Sequence, residues 1–334
     1  MQISGRPIGD DAPVYVIAEI GSNHDGDQTR ALELIRACAQ AGADAVKFQL
    51  FKADSLVNPS LRPDFHGIIQ HLEFPRDWLR ALKDHADAHG IHFLATPFDL
   101  EAVALLDALE IPALKIASSD LTNWPLLRAA AQTSRPVIIS AGLAYLGEVE
   151  EAVLALRSFG ATEIAVLHCI AEYPTRDEDV NLRYMALMEG ALGVPVGFSD
   201  HTLGLGAPVA AAALGACIIE KHVTHSRLAQ GPDHSFALEM PELSQLVVLV
   251  REAKKARGKP LRMLTAEELA DRDRARRGVF ARVPIPAGTR VTADMLIALR
   301  PARGIAAKDF DRVVGKTARV RIEPYEPLTW SDFI

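Results

Sequence analysis

The segment Val194–Gly204, VPVGFSDHTLG, joins a short apolar run directly to three consecutive polar side chains. Its first half contains small and apolar residues without helical spacing, which predicts a buried strand. Ser199, Asp200 and His201 then place hydrogen-bonding and metal-binding groups at the end of that strand. Such an ending is typical of parallel sheets, in which functional groups collect at the carboxyl ends of the strands.

The same alternation of strand and helix runs along most of the chain. Asp27 predicts the N-cap and Gly42 the end of the first helix, and Asp99 and Asn123 are candidate caps of later helices. Eight strands that alternate with eight helical segments by about Gly258 predict a (β/α)8 TIM barrel. The predicted strands are Val14–Ile20, Asp44–Leu50, Ile91–Pro97, Pro112–Ser118, Pro136–Gly142, Glu163–Cys169, Pro195–His201 and Cys217–Val223.

A doubly wound sheet is the structural alternative to the barrel. It fits less well, because no G-x-G-x-x-G sequence follows the first strand. Gly204-Leu-Gly206 follows the seventh predicted strand instead and lacks the third glycine. The barrel is therefore the favoured fold.

The sequence changes character after the eighth helical segment. Residues 262–278 are charged and carry no strand signal, so they predict an exposed linker with a helical piece. Residues 279–334 contain short β-like runs separated by Gly- and Pro-rich turns, including VFARVPIP and ARVRIEP. We therefore predict a barrel over residues 1–261, a linker over 262–278 and a small β-rich domain over 279–334.

The composition excludes several classes of protein. Hydrophobic residues make up 49% and charged residues 24%, as in ordinary globular proteins. A net charge of −7 argues against general binding to nucleic acid or anionic membranes. The three scattered cysteines, Cys38, Cys169 and Cys217, read as reduced core thiols. With no secretory signal and no membrane-spanning run, we expect a cytoplasmic protein.

Polar residues gather at the predicted carboxyl ends of all eight strands, where barrel enzymes place their chemistry. One such residue could be chance, but a complete set is difficult to explain by packing. In chain order they are Glu19, Lys47, Gln49, Thr96, Lys115, Ser118, Ser140, His168, Tyr173, Ser199, Asp200, His201, Glu220, Lys221 and His222.

His201 and His222 end adjacent strands, so their imidazoles should lie on one side of the barrel mouth. A single histidine there is more often structural, and we give that role to His168 because apolar residues follow it. The pair favours a divalent metal that acts as a Lewis acid, with Mn2+ expected and Mg2+ or Co2+ as alternatives.

Lys47 and Lys115 lie inside otherwise apolar strands, where a lysine needs an anionic partner or a chemical task. Together with neighbouring serine hydroxyls they predict a site for a small anion that bears phosphate and carboxylate. The structural alternative is that each lysine pairs with a protein carboxylate such as Glu19 or Glu220. The chemical alternative is a Schiff-base lysine, as in barrel aldolases.

The motif series resembles that of the sialic acid synthase family. The matching segments are IAEIGSNHDGD, AGADAVKFQ, FLATPFD, LKIASSD, EYPT, GFSDHTLG and EKHVT…GPDH, and residues 279–334 resemble the antifreeze-like (SAF) domain of that family. The resemblance implies an N-acetylneuraminate synthase-type transferase, which joins phosphoenolpyruvate to an N-acylated hexosamine. It also implies a metal and a domain-swapped homodimer.

The resemblance assigns a role to each matching residue. His201 and His222 become metal ligands, and Glu19 becomes an acid–base or water-positioning group. The residues that would bind phosphoenolpyruvate are Lys47, Thr96, Lys115, Ser118, Ser140 and Ser199. Those that would face the sugar are Gln49, Asp120, Tyr173 and Asp233, with Arg300 reaching the N-acyl group from a partner chain.

Two positions depart from the family pattern, one at the sugar end of the site and one at the phosphoenolpyruvate end. Asp120 stands where the family commonly has Glu, and Ala171 stands where Asn or Ser helps to bind phosphoenolpyruvate. The acceptor is therefore expected to be N-acetylmannosamine or a diacetamido-trideoxyhexose, as in pseudaminic and legionaminic acid synthesis. A non-catalytic carbohydrate-binding protein is the remaining alternative, suggested only by the SAF-like module.

Overall fold

Eight parallel strands close into a barrel in the computed structural model, which describes residues 1–334. Strand β8 pairs with β1 as well as with β7, so the sheet has no free edge. This closure confirms the predicted (β/α)8 barrel and excludes a doubly wound sheet. The strands are β1 Tyr15–Gly21, β2 Ala45–Leu50, β3 His92–Pro97, β4 Leu114–Ile116, β5 Val137–Ser140, β6 Ile164–Cys169, β7 Val196–Asp200 and β8 Ile218–His222.

Helices cover the outside of the barrel, and the predicted caps are confirmed. Asp27 accepts hydrogen bonds from the amides of Thr29 and Arg30, and Asp99 and Asn123 cap their helices in the same manner. The helices are α1 Gln28–Gln40, α2 Ala53–Leu56, α3 Pro63–His71, α4 Leu79–Ala88, α5 Leu100–Ala108, α6 Trp124–Gln132, α7 Leu146–Ser158, α8 Tyr184–Leu192, α9 Gly206–Leu214 and α10 Met240–Arg257. None of the helices combines the length and apolar character needed to span a bilayer.

Successive strand residues point alternately into the barrel and out towards the helices. The inner core near the amino-terminal ends contains Tyr15, Ile17 and Leu94, and Ile3 and Ile8 from the first residues of the chain pack against it. A larger outer core fills the space between the strands and the helices. The apolar inner floor leaves the carboxyl-terminal half of the interior for polar side chains.

Because Gly197 has no side chain, β7 can lie close to β8 inside the barrel. A Cβ atom on Gly197 would lie 2.5 Å from the backbone oxygen of Ile218 and 2.6 Å from Cδ2 of Leu167, so any side chain would clash. The same pairing aligns Ser199 with Glu220 and Asp200 with Lys221. The register of these two strands therefore fixes which polar groups become neighbours.

The fourth strand and one β-like run are shorter than the sequence predicts. Strand β4 covers only Leu114–Ile116, because Ser118–Asp120 turns into a 3₁₀ helix. In the C-terminal part, the run ARVRIEP forms isolated bridges, Ile285 with Ile322 and Ala318 with Phe333, rather than a strand. Local β propensity at these places is overridden by the turns that follow.

The chain divides into two units, Met1–Gly258 and Lys259–Ile334. The second unit begins with helix α11, Ala266–Ala275, which has no buried residue and lies within the predicted linker. Thr265 and Glu268 form a capping box at its start. Strand β9, Gly278–Ala281, pairs antiparallel with β10, Leu296–Leu299, and helix α12 covers Phe310–Val313. The unit has its own apolar core around Val279, Ile285, Leu296, Ile322 and Leu328.

Candidate active site

A cavity of about 340 Å³ opens at the carboxyl-terminal ends of the barrel strands. Its wall contains every residue of the predicted site except Asp120, Asp233 and Arg300. The residues that line it from that set are Glu19, Lys47, Gln49, Thr96, Lys115, Ser118, Ser140, Tyr173, Ser199, His201 and His222. Most of the strand-end residues therefore form one continuous surface, whereas His168, Asp200 and Lys221 do not line it.

Both inner lysines are paired with protein carboxylates. Lys47 Nζ lies 2.8 Å from Glu19 Oε2, and Lys115 Nζ lies 3.1 Å from Glu220 Oε1. Burial alone would lower the pKa of Lys47, but Glu19 and Glu220 together raise it. Burial lowers the pKa of Lys115, since Glu220 compensates only in part and Lys47 opposes its charge. The structure thus contains the ion pairs of the structural alternative alongside the predicted hydroxyls.

The hydroxyl groups of the wall are partly free. Ser199 Oγ donates to Glu220 Oε1 at 2.9 Å, and Ser118 Oγ accepts from the amide of Gly142 at 3.0 Å. Ser140 Oγ is buried and has no partner at all. A buried hydroxyl without a partner is unusual in a folded protein and is expected where a ligand completes the hydrogen bond.

His201 and His222 face each other with ring centroids 5.4 Å apart. Burial lowers the pKa of His201 to about 4 and that of His222 to about 3, so both rings are neutral near pH 7. His201 Nδ1 lies 2.9 Å from the carbonyl oxygen of Ile170, which makes Nδ1 the protonated nitrogen and leaves Nε2 with a free lone pair. The Nδ1 atom of His222 is buried without a hydrogen-bond partner.

Two neutral imidazoles with unused nitrogen atoms fit a divalent metal that keeps open coordination positions. No group of three or more His, Cys, Asp or Glu side chains that could hold a metal is found in the chain. The protein therefore offers two ligands at this place, and water or substrate would have to supply the others.

Tyr173 and Asp233 border the histidine pair. The ring of Tyr173 lies 4.1 Å from that of His201 between centroids and is 54% exposed, so it forms the rim of the cavity. Asp233 Oδ2 lies 3.6 Å from His222 Nδ1. Burial, followed by the charge of Glu19, raises the pKa of Asp233 to about 6. Although Asp233 is not part of the cavity wall, the structure places it beside a proposed ligand.

Asp120 and Arg300 are not brought to the cavity within the first unit. Both oxygens of Asp120 are engaged locally, Oδ1 with Asn123 Nδ2 at 3.0 Å and Oδ2 with Ser119 Oγ at 3.3 Å. Arg300 belongs to the second unit, where it is exposed. His168 points to the outer face, where Nε2 bonds to the carbonyl oxygen of Val180 at 2.7 Å.

Several wall residues lie outside the predicted set of site residues, among them the titratable residues Glu220 and Cys169. The sequence predicts Glu220 as a strand-end residue and lysine partner and Cys169 as a core thiol. The alternation of inner and outer residues could have found them. In β6 the inner positions are Ala165 and Leu167, which makes Cys169 the next inner residue. Glu220 lies beside Ser199 in the pairing of β7 with β8.

A comparison with protein-family models places the barrel in one family. The model of the NeuB family matches residues 34–262, and a SAF domain model matches residues 276–334. The chain belongs to the NeuB family. This finding confirms the resemblance to sialic acid synthases, and the SAF match confirms the second domain type.

The relatives of this NeuB-family chain include synthases of several ulosonic acids. The N,N'-diacetyllegionaminic acid synthase of Legionella pneumophila is 35% identical, over 97% of this chain and 96% of that protein. The human N-acetylneuraminate-9-phosphate synthase is also 35% identical, over 96% of this chain and 92% of that protein. The crystal structure of an N-acetylneuraminic acid synthetase from Leptospira borgpetersenii, in complex with citrate, superimposes with a TM-score of 0.77. It is 34% identical and covers 81% of this chain and 94% of that chain.

Proposed function

We propose that this NeuB-family protein condenses phosphoenolpyruvate with an N-acylated hexosamine and water, which gives a nine-carbon ulosonic acid and phosphate. The observation that carries the proposal is the cavity wall, which combines two buried lysines, several serine hydroxyls and two neutral imidazoles. Cations and hydroxyls are the donors that phosphate and carboxylate require. The family relationship supports an enzyme of this type.

In the proposed reaction the chain's own residues hold and orient the reacting groups. Lys47, Lys115 and the hydroxyls of Ser140 and Ser199 bind the anionic groups of phosphoenolpyruvate and stabilise charge as it develops. His201 and His222 would hold a divalent metal, which when bound would supply Lewis-acid polarisation of the aldehyde of the open-chain sugar. C3 of phosphoenolpyruvate forms the new carbon–carbon bond with the aldehyde carbon, and the electron pair of the C=O π bond moves to the aldehyde oxygen. That oxygen becomes a hydroxyl by taking up a proton that comes from the water consumed in the reaction.

The second half of the reaction places water at C2 of the former phosphoenolpyruvate. Glu19 is suited to position this water and to accept its proton, because Gln49 Nε2 holds Glu19 Oε1 at 2.6 Å. The resulting tetrahedral intermediate expels phosphate by cleavage of its C–O bond, and the C2 carbonyl of the product forms. Tyr173 and Asp233 are proposed to face the sugar at the rim.

The acceptor is proposed to be N-acetylmannosamine or a diacetamido-trideoxyhexose. The legionaminic acid synthase of Legionella pneumophila and the human N-acetylneuraminate-9-phosphate synthase are each 35% identical to this chain, so the similarity supports both kinds of sugar. Mn2+ is the metal we propose first.

We further propose that the protein acts in the cytoplasm as a domain-swapped homodimer. In this arrangement Arg300 contacts the N-acyl group in the cavity of a partner chain. Arg300 is exposed, so its guanidinium is accessible to a partner chain, which supports this role.

Phosphate release from phosphoenolpyruvate across a panel of N-acylated hexosamines tests the proposal. We expect release that depends on both the sugar and a divalent metal. Borohydride in the presence of substrate should trap no covalent adduct, whereas a Schiff-base aldolase would be inactivated. Sugar binding without phosphate release from any member of the panel would overturn the proposal and favour a carbohydrate-binding protein.

A further inference from the structure

Glu220 makes its contacts with the groups that are proposed to bind the substrate anion. Its Oε1 atom lies 3.1 Å from Lys115 Nζ and accepts a hydrogen bond from Ser199 Oγ at 2.9 Å. Its Oε2 atom lies 3.7 Å from Lys47 Nζ and has no hydrogen-bond partner. The carboxylate therefore occupies the position of an anionic ligand within the cavity wall.

The charges of the inner wall cancel. Lys47 and Lys115 carry two positive charges, and Glu19 and Glu220 carry two negative charges. Without the proposed metal, a multiply charged anion that entered this buried space would find no net positive charge, and burial of an uncompensated charge is costly. Tight anion binding therefore requires that one carboxylate gives up its lysine contacts.

Glu220 is better placed to do so than Glu19. Glu19 is held by Gln49 through one oxygen and by Lys47 through the other, and Gln49 is proposed to face the sugar rather than the anion. Every contact of Glu220, by comparison, is with a proposed anion donor.

We propose that Glu220 is an internal counter-anion that engages Lys115, Ser199 and Lys47 and competes with the substrate anion for them. This inference rests on the proposed function, in which these donors bind phosphoenolpyruvate. Its consequence for turnover is weaker binding of both substrate and phosphate. A site that binds the phosphate product weakly releases it readily, which matters because product release limits many enzymes.

Binding of inorganic phosphate and of phosphoenolpyruvate to the full chain, measured by calorimetry after chelation of metals, tests the role of Glu220. We expect Glu220→Gln to bind inorganic phosphate at least about tenfold more tightly than the unmodified protein, which corresponds to about 1.4 kcal/mol. The inhibition constant of phosphate against turnover should fall in the same ratio.

Glu19→Gln is the matched control, because it removes the same charge from the same wall but frees only Lys47. We expect a smaller gain in phosphate affinity from it. Glu220→Asp keeps the charge while it shortens the side chain, and it provides a second variant if Glu220→Gln does not fold by circular dichroism. We expect its phosphate affinity to rise, because the shorter side chain withdraws from Lys115.

Unchanged or weaker phosphate binding in the folded Glu220 variants would overturn the inference, since it would mean that Glu220 serves only to hold the lysines in place. The calorimetric binding measurements need neither sugar nor turnover. A failure of the proposed function would appear as absent phosphate release with every sugar, whereas a failure of this inference would appear in binding alone.

Discussion

Charged residues lie on both the inner and the outer face of β7 and β8, but the two faces differ in how completely the hydrogen bonds of these residues are satisfied. On the outer face Lys221 Nζ lies 2.6 Å from Asp200 Oδ2 and also donates to the carbonyl oxygen of Thr202. Asp200 further accepts from the amide of Thr202 at 2.9 Å and from its hydroxyl at 3.2 Å. On the inner face Glu220 and Ser199 belong to a network that remains incomplete.

The difference lies in the atoms that remain without partners. Lys221 and Asp200 leave no unsatisfied side-chain atom, whereas Glu220 Oε2, Ser140 Oγ and His222 Nδ1 are buried without a hydrogen-bond partner. A buried network that is fully satisfied stabilises one structure, while unsatisfied buried groups mark a place for a ligand or ion. Charge and burial alone would not distinguish the structural ion pair of the outer face from the candidate ligand site of the inner face.

Loss of a histidine from the inner face should have the largest effect. We expect His201→Ala and His222→Ala each to lower kcat/KM by about 10⁴-fold, or about 5.5 kcal/mol of transition-state stabilisation, because each removes a proposed metal ligand. Metal content and kcat/KM after chelation and dialysis check this. His168→Ala, on the outer face of the neighbouring strand, is the control and should lower stability but keep the metal requirement. Normal activity of dialysed His222→Ala would refute the assignment.

Removal of one partner of the outer ion pair should affect stability rather than binding. We expect Lys221→Met to lower the free energy of unfolding by about 3–5 kcal/mol, because it leaves the Asp200 carboxylate buried without its cation. Urea denaturation measures this. The double variant with Asp200→Asn should cost less than the sum of the single changes. A large change in phosphate affinity with unchanged stability would show that the outer pair belongs to the site.

A smaller effect is expected from the second unit. Arg300→Ala should raise the KM for the sugar about tenfold, or about 1.4 kcal/mol, and leave the KM for phosphoenolpyruvate nearly unchanged, because a planar guanidinium is suited to hold an N-acyl oxygen. If the proposed exchange of domains occurs, mixtures of Arg300→Ala and His201→Ala chains should recover activity, since one cavity then combines both intact parts. No recovery after confirmed subunit exchange would argue that each chain completes its own site.

The smallest effect is expected at Ala171, which lines the cavity. Ala171→Asn adds one hydrogen-bonding group to the inner surface, and we expect the KM for phosphoenolpyruvate to fall by a factor of about 2–5, or about 0.5–1 kcal/mol. Ala144→Asn, at a residue of the neighbouring cavity, is the matched control and should leave this KM unchanged. Steady-state kinetics with varied phosphoenolpyruvate distinguish the two, and an increase at Ala171→Asn would contradict the expectation.

The sequence predicts the barrel well because its signals are local and repeated. Apolar runs, helix caps at Asp27, Asp99 and Asn123, and polar strand ends each follow from neighbouring residues in the chain. The same strand-end rule brings most of the predicted site into one cavity wall, because all parallel strands of a barrel end on one side.

The remaining features depend on contacts between distant segments. Lys115 and Glu220 are 105 positions apart, and only the closed barrel brings them to 3.1 Å. The orientation of Asp120 towards Asn123 depends on the 3₁₀ turn that shortens β4. The sequence does not predict this turn, because the residues of the predicted strand Pro112–Ser118 favour β structure. Pairings and side-chain orientations of this kind are set by tertiary structure rather than by local pattern.

The close contacts of Gly197 predict how substitutions at this position would affect folding and activity. Even alanine at this position would bring its Cβ within 2.5 Å of a backbone oxygen on the neighbouring strand, so nearly every replacement should prevent folding. By contrast, several residues that contact the proposed ligands should accept replacements that keep the protein folded and make it inactive. Variants at Gly197 would therefore lose both folded protein and activity, whereas variants at the ligand-contacting residues would lose activity alone. Intolerance at Gly197 would report steric closure of the barrel rather than chemistry.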